Sequence, residues 1–155
     1  MLEQFNDLIS TICTNSSIVQ EVRKDRYFFT NDGSIYDSFW KFGGYYKFAT
    51  TERLSYGGAH LWTCNPIVAK YELTIILGNC VRCANSWKPI ALPAETNAIQ
   101  KAWSLTPLPN STAVECSFED NPDFTFGTLE TERWLPLAKL MSMNLDDAIQ
   151  LYLTE

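Results

Sequence analysis

The chain has little histidine, no phosphate-binding motif and no long apolar run, and each shortage excludes a class of function. His60 is the one histidine, so multi-histidine metal sites are excluded and an imidazole acid–base mechanism depends on this residue. Neither G-x-x-x-x-G-K-[ST] nor G-x-G-x-x-G occurs, which excludes the known nucleotide phosphate cradles. No apolar run approaches the ~18 residues of a membrane span, so we expect no membrane association.

The first ten residues, MLEQFNDLIS, lack both the basic and the apolar regions of a secretory signal. The chain has five cysteines, and an odd number in a chain of this length favours reduced thiols in a reducing compartment. The sequence therefore predicts a cytoplasmic protein.

Close cysteine pairs are also scarce, because Cys80 and Cys83 form the one C-x-x-C spacing. A strong zinc signal needs two such pairs. This chain has one pair, and its other cysteines lie far from it in the sequence. A redox pair needs a thiol of depressed pKa at a strand-to-helix junction. We expect ordinary reduced cysteines with no metal and no cofactor, and both alternatives stay open.

Basic residues are nearly absent from the last third of the chain. Residues 1–101 carry ten Lys/Arg against nine Asp/Glu, whereas residues 102–155 carry two against nine, within an overall net charge of −6. Like charges gathered on one surface repel one another and cost stability, but the same field attracts a cationic partner. Six carboxylates lie between Lys101 and Arg133 without a basic residue among them: Glu115, Glu119, Asp120, Asp123, Glu130 and Glu132.

The length of 155 residues predicts a single domain spanning 1–155. Apolar residues at helical spacing predict an amphipathic helix over about residues 5–12, and a second pattern predicts one near 94–103. Ser17 followed by Gln20 resembles a capping box and predicts a short helix to about Lys24, and a strand over the same residues is nearly as well supported. Near the C-terminus an apolar stripe over 135–141 is followed by Asn144, which predicts the cap of a last helix.

The middle of the chain predicts strands. Gly43-Gly44 predicts a two-residue hairpin that pairs Phe42 with Tyr45 and Trp40 with Lys47, which permits a cation–π contact. The β-branched run 71–77 predicts a central strand, and 112–118 and 124–128 predict two more strands joined by an acidic turn. This order predicts an α+β fold, with a mainly antiparallel meander sheet and helices at the N- and C-termini packed on it.

The leading functional hypothesis is a small acidic binding protein that neutralises a basic protein partner by occluding its active or nucleic-acid-binding site. Bacterial immunity proteins that inhibit nuclease-type toxins share this profile of small size, acidity and missing catalytic motifs; the analogy is one of composition. The expected contacts are the carboxylates of residues 115–132, with Trp103 and Trp134 as anchors inside a charged rim. Steering by such a field speeds association.

The alternative is a small-molecule-binding or enzymatic domain with an aromatic pocket around His60. Twelve of the 21 aromatic residues fall between Tyr27 and Trp62, and concave aromatic pockets are common ligand sites. Its expected lining is Tyr36, Trp40, Tyr45, Tyr46, Tyr56, His60 and Trp62. Interleaved cations and aromatics in this region also fit single-stranded nucleic acid, but a sequence pI near 4.8 opposes phosphate binding.

Overall fold

An antiparallel sheet of eight strands organises the part of the chain that the computed structural model describes, which is residues 2–52, 58–91, 96–129 and 134–155. The strand order is β1-β2-β3-β4-β5-β8-β7-β6. The strands are β1 (Val19–Arg23), β2 (Arg26–Thr30), β3 (Ile35–Phe42), β4 (Tyr45–Glu52), β5 (Leu61–Thr63), β6 (Trp103–Pro107), β7 (Val114–Phe118) and β8 (Asn121–Thr128). The helices are α1 (Asn6–Cys13), α2 (Pro66–Ala84), α3 (Thr96–Ala102), α4 (Trp134–Leu140) and α5 (Leu145–Leu153).

The fold is α+β with a meander-like antiparallel sheet and helices at both ends, as the sequence predicted. β1 to β5 follow one another across the sheet, and β8, β7 and β6 continue it in reverse order. Short connections between sequential antiparallel neighbours explain the meander.

The two faces of the sheet have different partners because successive strand residues point to opposite sides. Phe29, Phe39, Phe48 and Phe126 join residues of α1, α2, α4 and α5 in one buried core, and the Phe5 and Phe39 rings meet edge-on at 4.9 Å. We call this side the helix face. The intervening residues, such as Trp40, lie on what we call the outward face.

The β3–β4 hairpin is built as predicted. Gly43 and Gly44 have φ of +59° and +84°, which a primed two-residue turn requires and which glycine adopts without strain. Phe42 pairs with Tyr45 and Trp40 pairs with Lys47. The cation that contacts Trp40, however, is Arg26 of β2, because its guanidinium lies 3.5 Å from the ring centroid of the indole.

The prediction of a central strand over residues 71–77 was wrong, because this segment lies inside α2. Asn65 caps α2 by accepting hydrogen bonds from the amides of Ile67 and Val68, and Pro66 occupies the first turn. The helix is buried along most of its length, since it packs against α1, α4, α5 and the sheet. The short helix expected to run to about Lys24 was also wrong, because Val19–Arg23 form β1, the strand alternative.

Asn144 caps α5, as the sequence predicted, with its side-chain oxygen accepting from the amide of Asp147 at 2.9 Å. The predicted helix near 94–103 is α3, but Trp103 already belongs to β6, an edge strand that the sequence did not predict. Among the described helices, none has both the length and the apolarity that crossing a membrane would require.

Candidate functional site

Three of the predicted carboxylates meet at the end of the β7–β8 hairpin. Glu119 and Asp120 form its two-residue turn, since Phe118 pairs with Asn121. The next pair is Ser117 with Thr125, so Pro122, Asp123 and Phe124 form a bulge with no partner on β7. A bulge redirects the side chains of its strand, and here Asp123 is exposed while Phe124 is half-buried. We call Glu119, Asp120 and Asp123 the acidic tip.

Backbone hydrogen bonds hold the acidic tip to its neighbours. The amide of Glu119 donates to the carbonyl of Ala102 at 2.9 Å. The side-chain amide of Asn65, which also caps α2, donates to the carbonyl of Asp123 at 2.8 Å. The position of the tip is therefore set by main-chain groups, and its carboxylates are left facing solvent.

Basic residues do not neutralise the acidic tip within the described ranges. Neither the tip nor Glu115 has a described lysine or arginine nitrogen within 4 Å. The one described polar partner of a tip carboxylate is the hydroxyl of Ser104, which donates to Glu119 at 3.3 Å. The tip thus presents three carboxylates that form no ion pair with a described residue.

The other predicted carboxylates do not join the tip. Glu115 pairs with Gly127 and with Thr106 across the sheet, which places it on the outward face, where Trp62 covers Gly127. Glu130 and Glu132 lie outside the described residues. The acidic surface that the structure shows is therefore the tip, with Glu115 farther along β7.

Trp103 and Trp134 lie in the core, with 6% and 7% of their surfaces exposed. Trp103 packs against Phe118 and Phe126, with ring centroids 5.3 and 5.5 Å apart. Neither indole projects from the surface, so neither can insert into a partner as the anchor we expected. Burial of the two indoles in this core stabilises the folded state, because each indole carries a large apolar area.

Trp103 instead forms a wall of an apolar pocket beside the acidic tip. The pocket has a volume of about 280 Å³ and lies between α3, the β7–β8 hairpin and the end of α4. We call it the tip pocket. Its described lining is Ala98, Ile99, Ala102, Trp103, Phe118, Phe124, Ala138, Met141 and Ser142. The sequence held a signal for it, since Phe118 and Phe124 directly flank the carboxylates.

The residues of the expected aromatic pocket are divided between the two faces. The register places Tyr36, Trp40, Tyr45 and Trp62 on the outward face, where Tyr45 and Trp62 share a shallow depression with Lys47. Tyr46 points to the helix face, with its ring centroid 5.2 Å from that of Phe5. Tyr56 lies outside the described residues.

His60 lies against Glu72 of α2. It is 8% exposed, and its Nε2 lies 3.9 Å from Oε1 of the buried Glu72. Glu72 also borders a cleft of about 390 Å³ with Asp37, Asn79 and Tyr152. Burial, reinforced by the negative charge of Glu72, raises the pKa of Tyr152 to about 12, so this phenol stays protonated at neutral pH.

Cys80 and Cys83 both lie on α2, and the buried Cys80 thiol donates to Asp37 at 3.6 Å. Burial first, and then the charge of Asp37, raises the pKa of Cys80. A reactive redox thiol needs the opposite shift. Within the described ranges no group of three or more His, Cys, Asp or Glu side chains could hold a metal ion.

Comparison with known proteins shows a likeness in fold alone. No protein-family model and no curated protein matches it. The solved structure of Rv3902c from M. tuberculosis superposes with a TM-score of 0.74 at 13% identity, covering 94% of this chain and 87% of that one. At this identity the likeness concerns the fold alone.

Proposed function

We propose that this protein is a cytoplasmic inhibitor that binds a basic protein partner through the acidic tip and occludes the partner's active or nucleic-acid-binding site. The observation that carries the proposal is the exposure of Glu119, Asp120 and Asp123 on one hairpin end without a described basic partner. In this role it acts on its partner as an immunity protein acts on a nuclease-type toxin.

The mechanism is electrostatic competition. A groove that binds phosphates is lined with lysine and arginine, and carboxylates placed there occupy the positions of the phosphate charges. Exposed charges of opposite sign attract over about 8 Å at physiological ionic strength. They raise association rates by roughly 10- to 10³-fold, so binding should weaken steeply with salt.

Pre-organisation of the tip supports this mechanism. The bonds from Glu119 to Ala102 and from Asn65 to Asp123 join main-chain atoms of the tip to two helices. A hairpin already fixed before binding loses less conformational entropy when it meets a partner. The carboxylates can therefore contribute to affinity as well as to association rate.

The test is capture from the native host by the wild-type protein and by the triple variant E119Q/D120N/D123N, at low and high salt. Asp120→Asn is tested beside the triple variant, and Asp25→Asn is its matched control, because each removes one charge and Asp25 occupies the exposed turn between β1 and β2 near the opposite edge of the sheet. We expect a basic protein that the wild type and the control retain at low salt, that the triple variant loses, and whose activity the wild type inhibits.

The proposal is overturned if no basic protein is retained in a tip-dependent manner, or if the retained protein keeps full activity when saturated. A retained protein that D25N loses as well would also contradict it, because general net charge would then explain the binding.

A further inference from the structure

We propose that the tip pocket receives one large apolar side chain of the basic partner, and that this side chain is flanked by lysine or arginine residues that contact the acidic tip. The inference rests on the proposed function and adds the chemistry of the segment that is recognised: a leucine, methionine or phenylalanine between basic residues.

The size and lining of the tip pocket fit such a side chain. An apolar cavity of about 150 Å³ suffices to bind benzene, and the tip pocket has about 280 Å³. Its walls come from α3, β6, both strands of the β7–β8 hairpin and the end of α4, and the large apolar side chains among them are Ile99, Trp103, Phe118 and Phe124. Polar groups are few there, so an apolar occupant is preferred to a polar one.

The negative charge at the edge of the pocket determines which residues can flank the inserted side chain in the partner's sequence. Phe118 directly precedes Glu119, and Phe124 directly follows Asp123. A chain that inserts an apolar side chain against these two rings therefore lies close to the carboxylates of the tip. Lysine or arginine beside the inserted residue gains attraction there, whereas glutamate or aspartate is repelled.

Lys101 is a basic residue close to the acidic tip in the fold. Lys101 lies at the end of α3, next to the Ala102 carbonyl that accepts from Glu119. It is exposed, and it makes no ion pair within the described ranges. Its charge reduces the field of the tip without cancelling three carboxylates, so Lys101→Gln should strengthen the binding of a basic segment.

The combination matches the usual anatomy of a protein interface. Binding energy concentrates where an apolar side chain fills a pocket, and a polar rim surrounds it. Here the indoles first expected to be anchors form part of the receiving surface, and the partner supplies the anchor. Among possible occupants, only a basic segment satisfies both the lining of the pocket and the charge at its edge.

Three capped peptides test this directly, with binding followed by the amide and Met141 methyl signals of the labelled protein. The peptides are Gly-Arg-Phe-Arg-Gly, Gly-Arg-Gly-Arg-Gly and Gly-Glu-Phe-Glu-Gly. We expect the first to bind at the tip pocket, the second to bind about 10- to 100-fold more weakly, and the third to show no shifts at millimolar concentration.

Two helix variants supply a matched pair. Ala98 and Gln100 are both exposed on α3, and of the two only Ala98 lines the pocket. Ala98→Phe should fill the pocket mouth and weaken binding of the Arg-Phe-Arg peptide at least tenfold, while Gln100→Phe should leave it unchanged. The same two variants are then compared on the captured basic partner.

The outcomes separate this inference from the proposed function. Equal binding of the two arginine peptides, with both lost in E119Q/D120N/D123N, overturns the pocket inference and leaves the acidic tip as a docking site. Binding of the glutamate peptide also overturns it. So does failure of all three peptides to bind, if the captured partner is also unaffected by Ala98→Phe. Self-association that sedimentation detects in the wild type and that Ala98→Phe abolishes overturns it as well. The last result would assign the pocket to a second copy of the chain.

Discussion

Gly78 of α2 lies directly against the ring of Tyr152 of α5. A Cβ atom at Gly78 would lie 2.5 Å from Cδ1 of Tyr152, well inside van der Waals contact. Four residues later on α2, the buried Arg82 guanidinium donates to the carbonyls of Tyr152 and Thr154 at 3.2 and 2.6 Å. The close packing that glycine permits at position 78 and the hydrogen bonds that Arg82 donates thus join α5 to α2.

Gly78→Ala should destabilise the protein even though alanine normally favours a helix over glycine by roughly 0.5–1 kcal/mol. The added methyl must displace the Tyr152 ring, and overpacking of this kind costs about 1–3 kcal/mol. Urea denaturation measures the free energy of unfolding. Gly58→Ala is the control, because no atom of the described residues lies within 4 Å of the new methyl there.

The sign of this effect should reverse when the ring is removed. In a Tyr152→Ala background the alanine at position 78 no longer meets the ring, so the same substitution should become neutral or stabilising. A double-mutant cycle gives the coupling between the two positions. If Gly78→Ala is stabilising in the wild-type background, the close approach of the two helices is wrong.

Asp32 should make folding stability depend on acid. Its carboxylate accepts from the amides of Ser34 and Ile35, and these bonds lower the pKa of Asp32 to about 2 from 3.8. A carboxyl whose pKa is lower in the folded state stabilises it above the unfolded pKa, and this contribution is lost as pH falls toward the folded value. The thermal midpoint of the wild type should therefore fall between pH 4 and pH 2.

Asp32→Asn supplies the comparison for this acid dependence. Its amide oxygen keeps an acceptor at the turn but does not titrate, so the difference in midpoint between wild type and variant should shrink between pH 5 and pH 2. A difference that stays constant over this range would show that the charge of Asp32 does not stabilise the turn.

The cysteines should divide into fast and slow thiols. Cys64 and Cys83 are exposed, whereas Cys80 and Cys116 are buried. Burial raises the pKa of Cys13 to about 11 and, together with the Glu115 charge, that of Cys116 to about 12. Only the thiolate reacts, so a disulfide reagent at pH 8 should modify two thiols rapidly and the rest slowly.

Single serine variants assign these reactions. Cys64→Ser and Cys83→Ser should each remove one fast equivalent, and the double variant should leave none. Rapid modification of Cys80 would contradict its burial, and it would reopen the redox role of the C-x-x-C pair that its raised pKa opposes.

Strands and helices were predictable where a few neighbouring residues determine the local backbone conformation. The hairpin at Gly43-Gly44 follows from two glycines that accept positive φ, and the helix at Asn144 follows from one capping side chain. The strand prediction failed over residues 71–77 because a helix buried on several sides loses its polar stripe, and its β-branched and apolar residues then resemble a buried strand. Asn65 followed by Pro66 was the available signal for the helix.

The candidate site was predictable only in part because it depends on pairing between distant segments. The sequence indicated the carboxylates and the aromatic rings beside them. It could not indicate that a bulge would turn Asp123 outward and Phe124 inward, or that β6 would place Trp103 beside Phe118. It could not show that Glu115 faces the other side, since alternation relative to the core is set by the sheet register.

Asn65 connects the fold to the site, and its two roles can be separated by substitution. Asn65→Ala removes both the cap of α2 and the hydrogen bond to the carbonyl of Asp123, and should cost about 1–2 kcal/mol of unfolding free energy. Asn65→Asp keeps oxygen acceptors for the cap and adds a negative charge where the helix dipole favours it, but it loses the donor. Asn65→Asp should therefore fold nearly as stably as the wild type.

The acidic tip should nevertheless loosen in Asn65→Asp, because its connection to α2 is gone. Amide hydrogen exchange over residues 123–125 measures this: we expect faster exchange there in both variants, with unchanged exchange in the β3–β4 hairpin as an internal reference. If exchange at the bulge is unaltered in Asn65→Asp while Asn65→Ala is destabilised, the side chain acts only as a helix cap. The position of the carboxylates then depends on the bond between Glu119 and Ala102.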